Sequence, residues 1–111
     1  MNTIAKTLRL RLRAGETLFF EDQWKNSAGT DWQDWSGWTG AGAFRLQSGG
    51  AVVGDITVEL GASGYIALRT TSLETDAVTP DIYDFDVLVR SGEEAFVLYE
   101  GTIEFVERIT P

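Results

Sequence analysis

The feature that most constrains this chain is a two-residue alternation of apolar and polar side chains, which is the period of a β-strand. Near the amino terminus, three leucines alternate strictly with three arginines (Leu8, Leu10 and Leu12; Arg9, Arg11 and Arg13). Successive side chains of a strand point to opposite faces of a sheet. The first segment is therefore predicted to be a strand with one apolar face and one basic face.

The same alternation recurs along the chain between turn signals. It is clearest in residues 82–90, where Asp84 and Asp86 face away from four apolar side chains (Tyr83, Phe85, Val87 and Val89). Turn signals fall about every ten residues, as they do in β-sandwiches. We predict a single all-β domain over residues 1–111 with seven to eight strands, and a β-sandwich is favoured over a small barrel.

Residues 72–78 are the one place where the pattern indicates a short helical turn. Ser72 is expected to cap it and Pro80 to end it, because proline disfavours helical backbone in the residue before it. At most one such turn is predicted.

The closing hairpin is expected to be the most strongly specified part of the fold. It would pair residues 82–90 with 95–108 around a short Ser-Gly-Glu loop. Gly101 lies in the middle of the second run and indicates a β-bulge or a bend, where inward and outward positions exchange.

Composition excludes most familiar catalytic chemistry. The chain has no Cys and no His, so it lacks a disulfide framework, a thiolate metal site and the commonest general base. Its net charge is -8, yet the first fourteen residues carry +4, which leaves -12 for the remainder. The acidic body argues against nucleic acid as a partner. No apolar run suits a signal peptide or a membrane span, so we expect no membrane association and synthesis in a cytoplasm.

Carboxylates are the remaining candidates for chemistry. Asp81, Asp84 and Asp86 lie together, but alternation places Asp84 and Asp86 on the wet face of a strand, where carboxylates make poor general acids. Asp31 and Asp34 lie close enough in sequence to suggest calcium, although their spacing matches no helix-loop-helix calcium site. We predict no enzymatic activity, no catalytic residue and no cofactor, and we leave calcium open.

A tryptophan triplet is the sharpest feature of the sequence. Trp32, Trp35 and Trp38 recur at every third position in a segment that is otherwise Gly, Thr, Asp, Gln and Ser. Three interpretations remain open: a plug that closes one end of the core, a protein interface, or a platform for sugar. Spacing by three in a non-helical loop cannot keep all three rings on one side.

The order of these segments resembles that of small virion proteins of phages and prophages that have an immunoglobulin-like β-sandwich. It is similar to the amino-terminal domains of tail baseplate and tail-fibre attachment proteins. The resemblance lies in the residue patterns RLRAGETLFFEDQWKNSAG (11–29), DWSGWTGAGAFRLQ (34–47) and SLETDAVTPDIYDFDVLVRSGEEAFVLYEGTIEFVERIT (72–110). It implies an antiparallel immunoglobulin-like sandwich without catalytic residues. It also implies that Trp38 is buried and that Trp32 and Trp35 face outward.

From these observations we expect a structural protein of a tailed phage or prophage virion. It would act by protein contacts in a symmetric assembly, at the tail tip, baseplate or fibre attachment first and in capsid decoration second. Its partners would be other virion proteins and copies of itself. The expected partner-binding residues are Trp32, Trp35, Arg9, Arg11 and Arg13. The alternative is a carbohydrate-binding module that recognises host surface glycan through Trp32 and Trp35.

Overall fold

The computed structural model describes residues 5–26, 28–47 and 49–110, and these residues form seven strands and one short helix. The elements are β1 (Lys6–Arg13), β2 (Leu18–Gln23), β3 (Thr39–Leu46), β4 (Val52–Leu60), β5 (Tyr65–Thr70), α1 (Ser72–Asp76), β6 (Asp81–Ser91) and β7 (Glu94–Val106). The prediction of an all-β chain with seven to eight strands is confirmed. The sequence also predicts a turn at Ser48, Gly49 and Gly50, of which Ser48 lies outside the described residues.

The strands form one hydrogen-bonded sheet in the order β1-β7-β6-β3-β4-β5-β2. β4 joins its two parts, because Val52–Ile56 pairs with β3 and Thr57–Leu60 pairs with β5. Every neighbouring pair is antiparallel except β1 and β7, which run parallel from Lys6 beside Tyr99 to Arg13 beside Val106. The prediction of a wholly antiparallel sheet is therefore wrong. Alternation specifies which way side chains face but not the direction of the partner strand.

The sheet curls until its two edge strands approach each other. Lys6 Nζ on β1 lies 2.7 Å from Asp22 Oδ2 on β2, although β1 and β2 stand at opposite ends of the strand order. The arrangement is therefore barrel-like, with the apolar side of every strand turned inward. Phe44, Tyr83 and Phe105 form an aromatic cluster in this core, with ring centroids 5.5 to 5.6 Å apart.

The predicted alternation is confirmed in the strands that carry most of the core. The four alternating apolar residues of β6 that were predicted to share one face are buried (Tyr83, Phe85, Val87 and Val89), whereas Asp86 is exposed. In β1, the leucines are half-buried and the arginines exposed. β6 and β7 also form the predicted hairpin, and they meet around Gly92 and Glu93.

The bulge in β7 lies nearer the hairpin than predicted. Val87 pairs with Tyr99 and Leu88 with Val97, so Leu98 is the extra residue, and Leu98 and Tyr99 are both buried. Inward and outward positions exchange here and not at Gly101. Gly101 is needed for a different reason: its φ is +152°, and a Cβ atom there would overlap the Leu8 carbonyl. The glycine thus lets β1 approach β7 closely.

The short helix occurs where it was predicted, but its caps differ. Thr71, not Ser72, is the N-cap: its hydroxyl accepts a hydrogen bond from Glu74 N at 3.2 Å, and Glu74 Oε1 accepts one from Thr71 N at 3.4 Å. The last helical residue is Asp76 and Ala77 is the C-cap, so the helix ends before the residue that Pro80 restricts. The expectation of Ser72 as cap and Pro80 as terminator is therefore wrong, because Ser72 already has helical backbone.

Candidate functional site

The tryptophan segment begins with a small hairpin that presents Trp32 to solvent. Asn26 N donates to Asp31 O at 2.8 Å, and Gln33 N donates to Trp24 O at 2.8 Å, so residues 24–26 and 31–33 run side by side. The Trp32 side chain is 46% exposed, and Lys25 Nζ lies 5.1 Å from its ring centroid. The prediction that Trp32 faces outward is confirmed.

Trp35 is buried, so the prediction that it faces outward is wrong. It is 2% exposed and packs edge-to-face on Trp38, with ring centroids 5.5 Å apart. A turn causes this inward position: Asp34 Oδ1 accepts from Ser36 N at 2.9 Å, and Trp38 N donates to Trp35 O at 3.0 Å. The hydrogen bonds from Ser36 also hold the pKa of Asp34 below its usual value. Trp35 therefore closes one end of the core and does not reach a partner.

Trp38 is half-buried and not fully buried as the resemblance implied. Its ring packs at a tilt on Phe96, with centroids 6.0 Å apart. The three tryptophans thus occupy three environments: exposed, half-buried and buried. This outcome agrees with the expectation that spacing by three would not keep all the rings on one side.

The β1 arginines lie on the outer side of a sheet edge. Arg11 Nε is 3.1 Å from Glu104 Oε1 on β7, and Arg13 donates to the carbonyl of Glu107 at 3.3 Å. Arg9 lies opposite Thr102. The Arg11 side chain is still 69% exposed. The structure therefore places the three arginines in one basic strip, and their binding of a partner remains a prediction.

An acidic face adjoins this strip on the outer side of β7, β6 and β3. Glu100 lies directly opposite Asp86, and Asp86 lies opposite Ala43, which in turn lies opposite Asp55. One row across the sheet thus carries three carboxylates and no base. Like charges directly opposite each other destabilise a sheet, so this row is not an arrangement that folding alone favours.

Asp84 belongs to the neighbouring row of the acidic face. It lies between Thr102 on β7 and Arg45 on β3. The prediction that Asp84 and Asp86 share the polar side of one strand is confirmed, since Phe85 between them is buried and Asp86 is exposed. Shallow depressions adjoin these side chains, lined in one case by Thr7, Asp84, Asp86, Glu100 and Thr102 among others.

A polar network links the two edge strands, and sequence reasoning did not find it. Lys6 Nζ and the Tyr99 hydroxyl both donate to Asp22 Oδ2, at 2.7 and 2.8 Å, and Trp24 Nε1 donates to the Tyr99 oxygen at 2.7 Å. Lys6 Nζ also lies 4.6 Å from the Trp24 ring centroid. The four residues come from β1, β2, the segment after β2, and β7. No sequence spacing brings them together, so only the fold reveals the network.

The network sets the charge state of its members. Burial raises the pKa of Asp22, but hydrogen bonds from Lys6, Tyr99 and the Gln23 N–H outweigh it, so the net pKa is lowered and the carboxylate stays ionised. Burial also raises the pKa of Tyr99, and its bond to Asp22 raises it further against the opposing effect of Trp24. Tyr99 is therefore a neutral hydroxyl that donates to a fixed carboxylate.

An aromatic depression lies beside this network, on the outer side of β2 and β5. Its lining consists of five residues (Glu21, Asp22, Gln23, Trp32 and Tyr65), and its volume is about 540 Å³. The Tyr65 hydroxyl donates to Glu21 Oε2 at 2.9 Å, and this bond raises the pKa of Tyr65. Gln23 Nε2 donates to Ser63 O at 3.1 Å. We call this feature the Trp32 depression.

Metal binding has no support in the described part of the chain. Residues 5–26, 28–47 and 49–110 contain no group of three acidic, His or Cys side chains placed to hold an ion. Asp34 instead caps a turn through its bond to Ser36. Calcium near Asp31 and Asp34, which the sequence left open, is therefore not proposed.

Among the described residues, no helix has both the length and the apolar character to span a bilayer.

Comparison with known proteins gives little guidance. No protein-family model matches the chain, and no curated protein matches it. A solved structure of a family 123 glycoside hydrolase from Clostridium perfringens is similar with a TM-score of 0.44 and 11% sequence identity, over 95% of this chain and 24% of that one. The chain thus spans less than two thirds of that protein. A similarity this weak assigns neither an activity nor a partner to the chain.

Proposed function

We propose that this protein is a non-enzymatic structural component of a tailed phage or prophage virion and that it acts through contacts between copies. The virion assignment rests on the resemblance in residues 11–29, 34–47 and 72–110. It favours the tail tip, baseplate or fibre attachment first and capsid decoration second. The contact mechanism rests on the charges of the outer surface.

The finer fold proposal is an immunoglobulin-like sandwich. In the constant-type immunoglobulin fold, seven strands form sheets ABED and CFG. Here β2, β5 and β4 are neighbours as B, E and D are, and β3, β6 and β7 are neighbours as C, F and G are. β1 differs, because it pairs with β7 and not with β2. The strand order supports this assignment, whereas the continuous pairing through β4 makes the two layers less distinct than in a simple sandwich.

The single observation that carries the contact mechanism is the pairing of a basic strip with an acidic row on one outer surface. The strip consists of Arg9, Arg11 and Arg13 on β1, and the row includes Glu100 on β7 and Asp86 on β6. β1 and β6 are separated only by β7, so these two strands lie about 10 Å apart, and Arg9 is two residues along β1 from Thr7, which lies opposite Glu100.

A two-fold axis in the plane of this surface would place the basic strip of each copy on the acidic face of the other. Such a contact is self-complementary, and self-complementary contacts are the commonest in homo-oligomers. Electrostatic complementarity of this kind steers association and sets the register of an interface.

The test is the oligomeric state of charge-reversed variants at low and high salt. The triple variant Arg9→Glu, Arg11→Glu, Arg13→Glu should associate at least about tenfold more weakly at low salt. The matched control Lys25→Glu, Arg69→Glu, Arg108→Glu makes the same change in net charge away from the strip and the acidic face, and it should associate more strongly than the β1 triple. Analytical ultracentrifugation over a concentration series measures both.

Mixing provides the sharper experiment. A variant with Asp84→Arg, Asp86→Arg and Glu100→Arg should not self-associate but should associate with the β1 triple. The strip and the face are then both basic in this variant and both acidic in the β1 triple, so only the mixed pair attracts. A wild-type chain that stays monomeric at every concentration, or triples that behave alike, would refute the contact mechanism. Genes for tail or capsid proteins beside this gene would support the virion assignment, and their absence would count against it.

A further inference from the structure

We infer that the Trp32 depression binds an uncharged pyranose sugar. This site is independent of the proposed contacts between copies, because it lies on the outer side of β2 and β5 and not on the acidic face. It also differs from the sugar platform of Trp32 and Trp35 that the sequence offered as an alternative, since Trp35 is buried and the depression is lined by Glu21, Gln23 and Tyr65 instead.

Trp32 supplies the apolar surface that a sugar ring requires. Its side chain is 46% exposed, whereas the side chains of Trp24 and Trp35 are buried in the core. An indole ring presents a flat apolar face to the C–H groups of a pyranose, and a tryptophan exposed to this degree loses water favourably when it is covered. Lys25 Nζ lies 5.1 Å from the ring centroid, and Lys25 does not line the depression.

Hydrogen-bond acceptors around Trp32 are already oriented. Tyr65 occupies Glu21 Oε2, so Oε1, to which no described residue donates, remains for a sugar hydroxyl. Ser63 O accepts from Gln23 Nε2, so the carboxamide oxygen is the end of Gln23 that a ligand meets. A sugar carries several hydroxyl donors around one ring. These can donate to the Glu21 and Gln23 oxygens while the ring lies on the face of Trp32. Both side chains are held by bonds within the protein, and binding therefore costs little ordering.

The hairpin that carries Trp32 is also held in place. Trp24 N donates to Gly64 O at 2.9 Å, and Gln33 N donates to Trp24 O at 2.8 Å, so the hairpin is tied to the turn before β5. The aromatic wall and the acceptor wall of the depression thus belong to one connected part of the sheet.

Charge and size indicate which ligand fits. Glu21, which no described cation pairs with, and the net charge of -8 of the whole chain disfavour anionic glycans, whereas Asp22 is paired with Lys6. The depression is lined by five residues. Its volume of about 540 Å³ falls within the range of small-molecule sites. A neutral sugar unit satisfies all of these conditions.

The experiment is affinity electrophoresis of the full chain in native gels that contain a polysaccharide, followed by calorimetry. The probes are neutral (dextran, laminarin, mannan and galactomannan) or anionic (alginate and hyaluronan). At least one neutral polymer should retard the protein, and the anionic polymers should not. The free oligosaccharide of the positive polymer should compete, which distinguishes recognition of sugar units from recognition of the polymer surface.

Variants then locate the site. Trp32→Ala should weaken binding by at least about tenfold, and Trp32→Phe by less, because a smaller ring remains. Glu21→Gln should weaken it several-fold. Phe19→Ala is the matched control: Phe19 is an exposed aromatic residue of the same strand, 49% exposed, that does not line the depression, and its loss should leave binding unchanged. Equal unfolding midpoints would show that each variant is folded.

The outcomes separate this inference from the proposed function. No retardation by any neutral polymer, retardation that survives Trp32→Ala, or equal loss in Phe19→Ala would overturn the sugar site. Loss of self-association in Trp32→Ala would also overturn it, because Trp32 would then belong to a protein interface. Failure of the β1 charge variants to alter association would leave the sugar site intact.

Discussion

The two outer surfaces of the sheet differ in chemistry, although alternating strands produce both. The acidic face on β7, β6 and β3 carries a row of three carboxylates beside a basic edge strand. The outer side of β2 and β5, with the adjoining hairpin, carries exposed or half-buried aromatic residues (Phe19, Trp32 and Tyr65). We call it the aromatic face. The inward side chains of both parts of the sheet are apolar because they are buried in the core. The outer positions are not constrained in this way, so their contrast is better evidence about function.

The largest change in the free energy of unfolding is expected for a substitution at the edge of the acidic face, where β1 pairs with β7. Gly101→Val would drive a side chain into the Leu8 carbonyl at a backbone angle that suits glycine, and β1 would separate from β7. The free energy of unfolding should fall by about 3 kcal/mol or more, measured by urea denaturation. The basic strip should lose its position beside the acidic face at the same time.

The control for that variant is Gly92→Ala. Gly92 also has positive φ, +58°, but no atom lies within 4 Å of the added methyl group. Its cost should be about 1 to 2 kcal/mol, from backbone strain alone. If Gly101→Val costs no more than this, the close approach of β1 does not depend on Gly101.

A smaller effect is expected where the aromatic face meets the basic edge. Asp22→Asn removes the charge that Lys6 and Tyr99 both bind, and it should lower the free energy of unfolding at neutral pH by about 1 to 2 kcal/mol. The pKa of Asp22 is lowered in the folded chain, so its stabilising contribution is present above the unfolded pKa of about 3.8 and is lost as pH falls through the folded pKa.

The variant should therefore differ from the wild type most at neutral pH and least in acid. Chemical denaturation at pH 7 and at steps below pH 4 measures this convergence. A difference that stays constant with pH would mean that the charge of Asp22 contributes nothing.

The smallest effect tests whether the acidic face is strained. Asp86→Asn removes a charge that lies directly opposite Glu100 and should raise the free energy of unfolding by a few tenths of a kcal/mol at low salt. Added salt should reduce the gain. Asp84→Asn is the control, because Asp84 lies opposite Arg45 and its neutralisation should not stabilise the chain. Equal effects of the two substitutions would show that the row of carboxylates carries no strain.

The strands and their inward faces could be predicted because the signal is local. Tyr83, Phe85 and Val87 alternate with polar residues, and burying one of them requires burying the others. The helix could be located for the same reason, although Thr71 and Ser72 are both good caps and the sequence does not choose between them.

What could not be predicted depends on contacts between distant residues. The close approach of β1 to β7 depends on Gly101, 93 positions after Leu8, and the pattern within β1 does not specify the parallel direction of the pairing. The bulge at Leu98 was missed because glycine was the visible signal, while the actual one was the consecutive apolar residues Val97, Leu98 and Tyr99.

The candidate site was predicted only in part. Trp32 was expected outward and is exposed, but Trp35 was misplaced because a turn capped by Asp34 rotates it into the core. Tyr65 and Glu21 were not singled out at all, since they meet only through the pairing of β2 with β5.

The parallel ladder between β1 and β7 also determines how the chain would carry mechanical load. Lys6 and Val106 lie at opposite ends of this ladder, about 23 Å apart at the rise of a parallel strand. Tension applied to these two residues would pull the strands past each other in shear. All the backbone hydrogen bonds of the ladder would then resist together, whereas in a hairpin pulled open at its end they would break one after another.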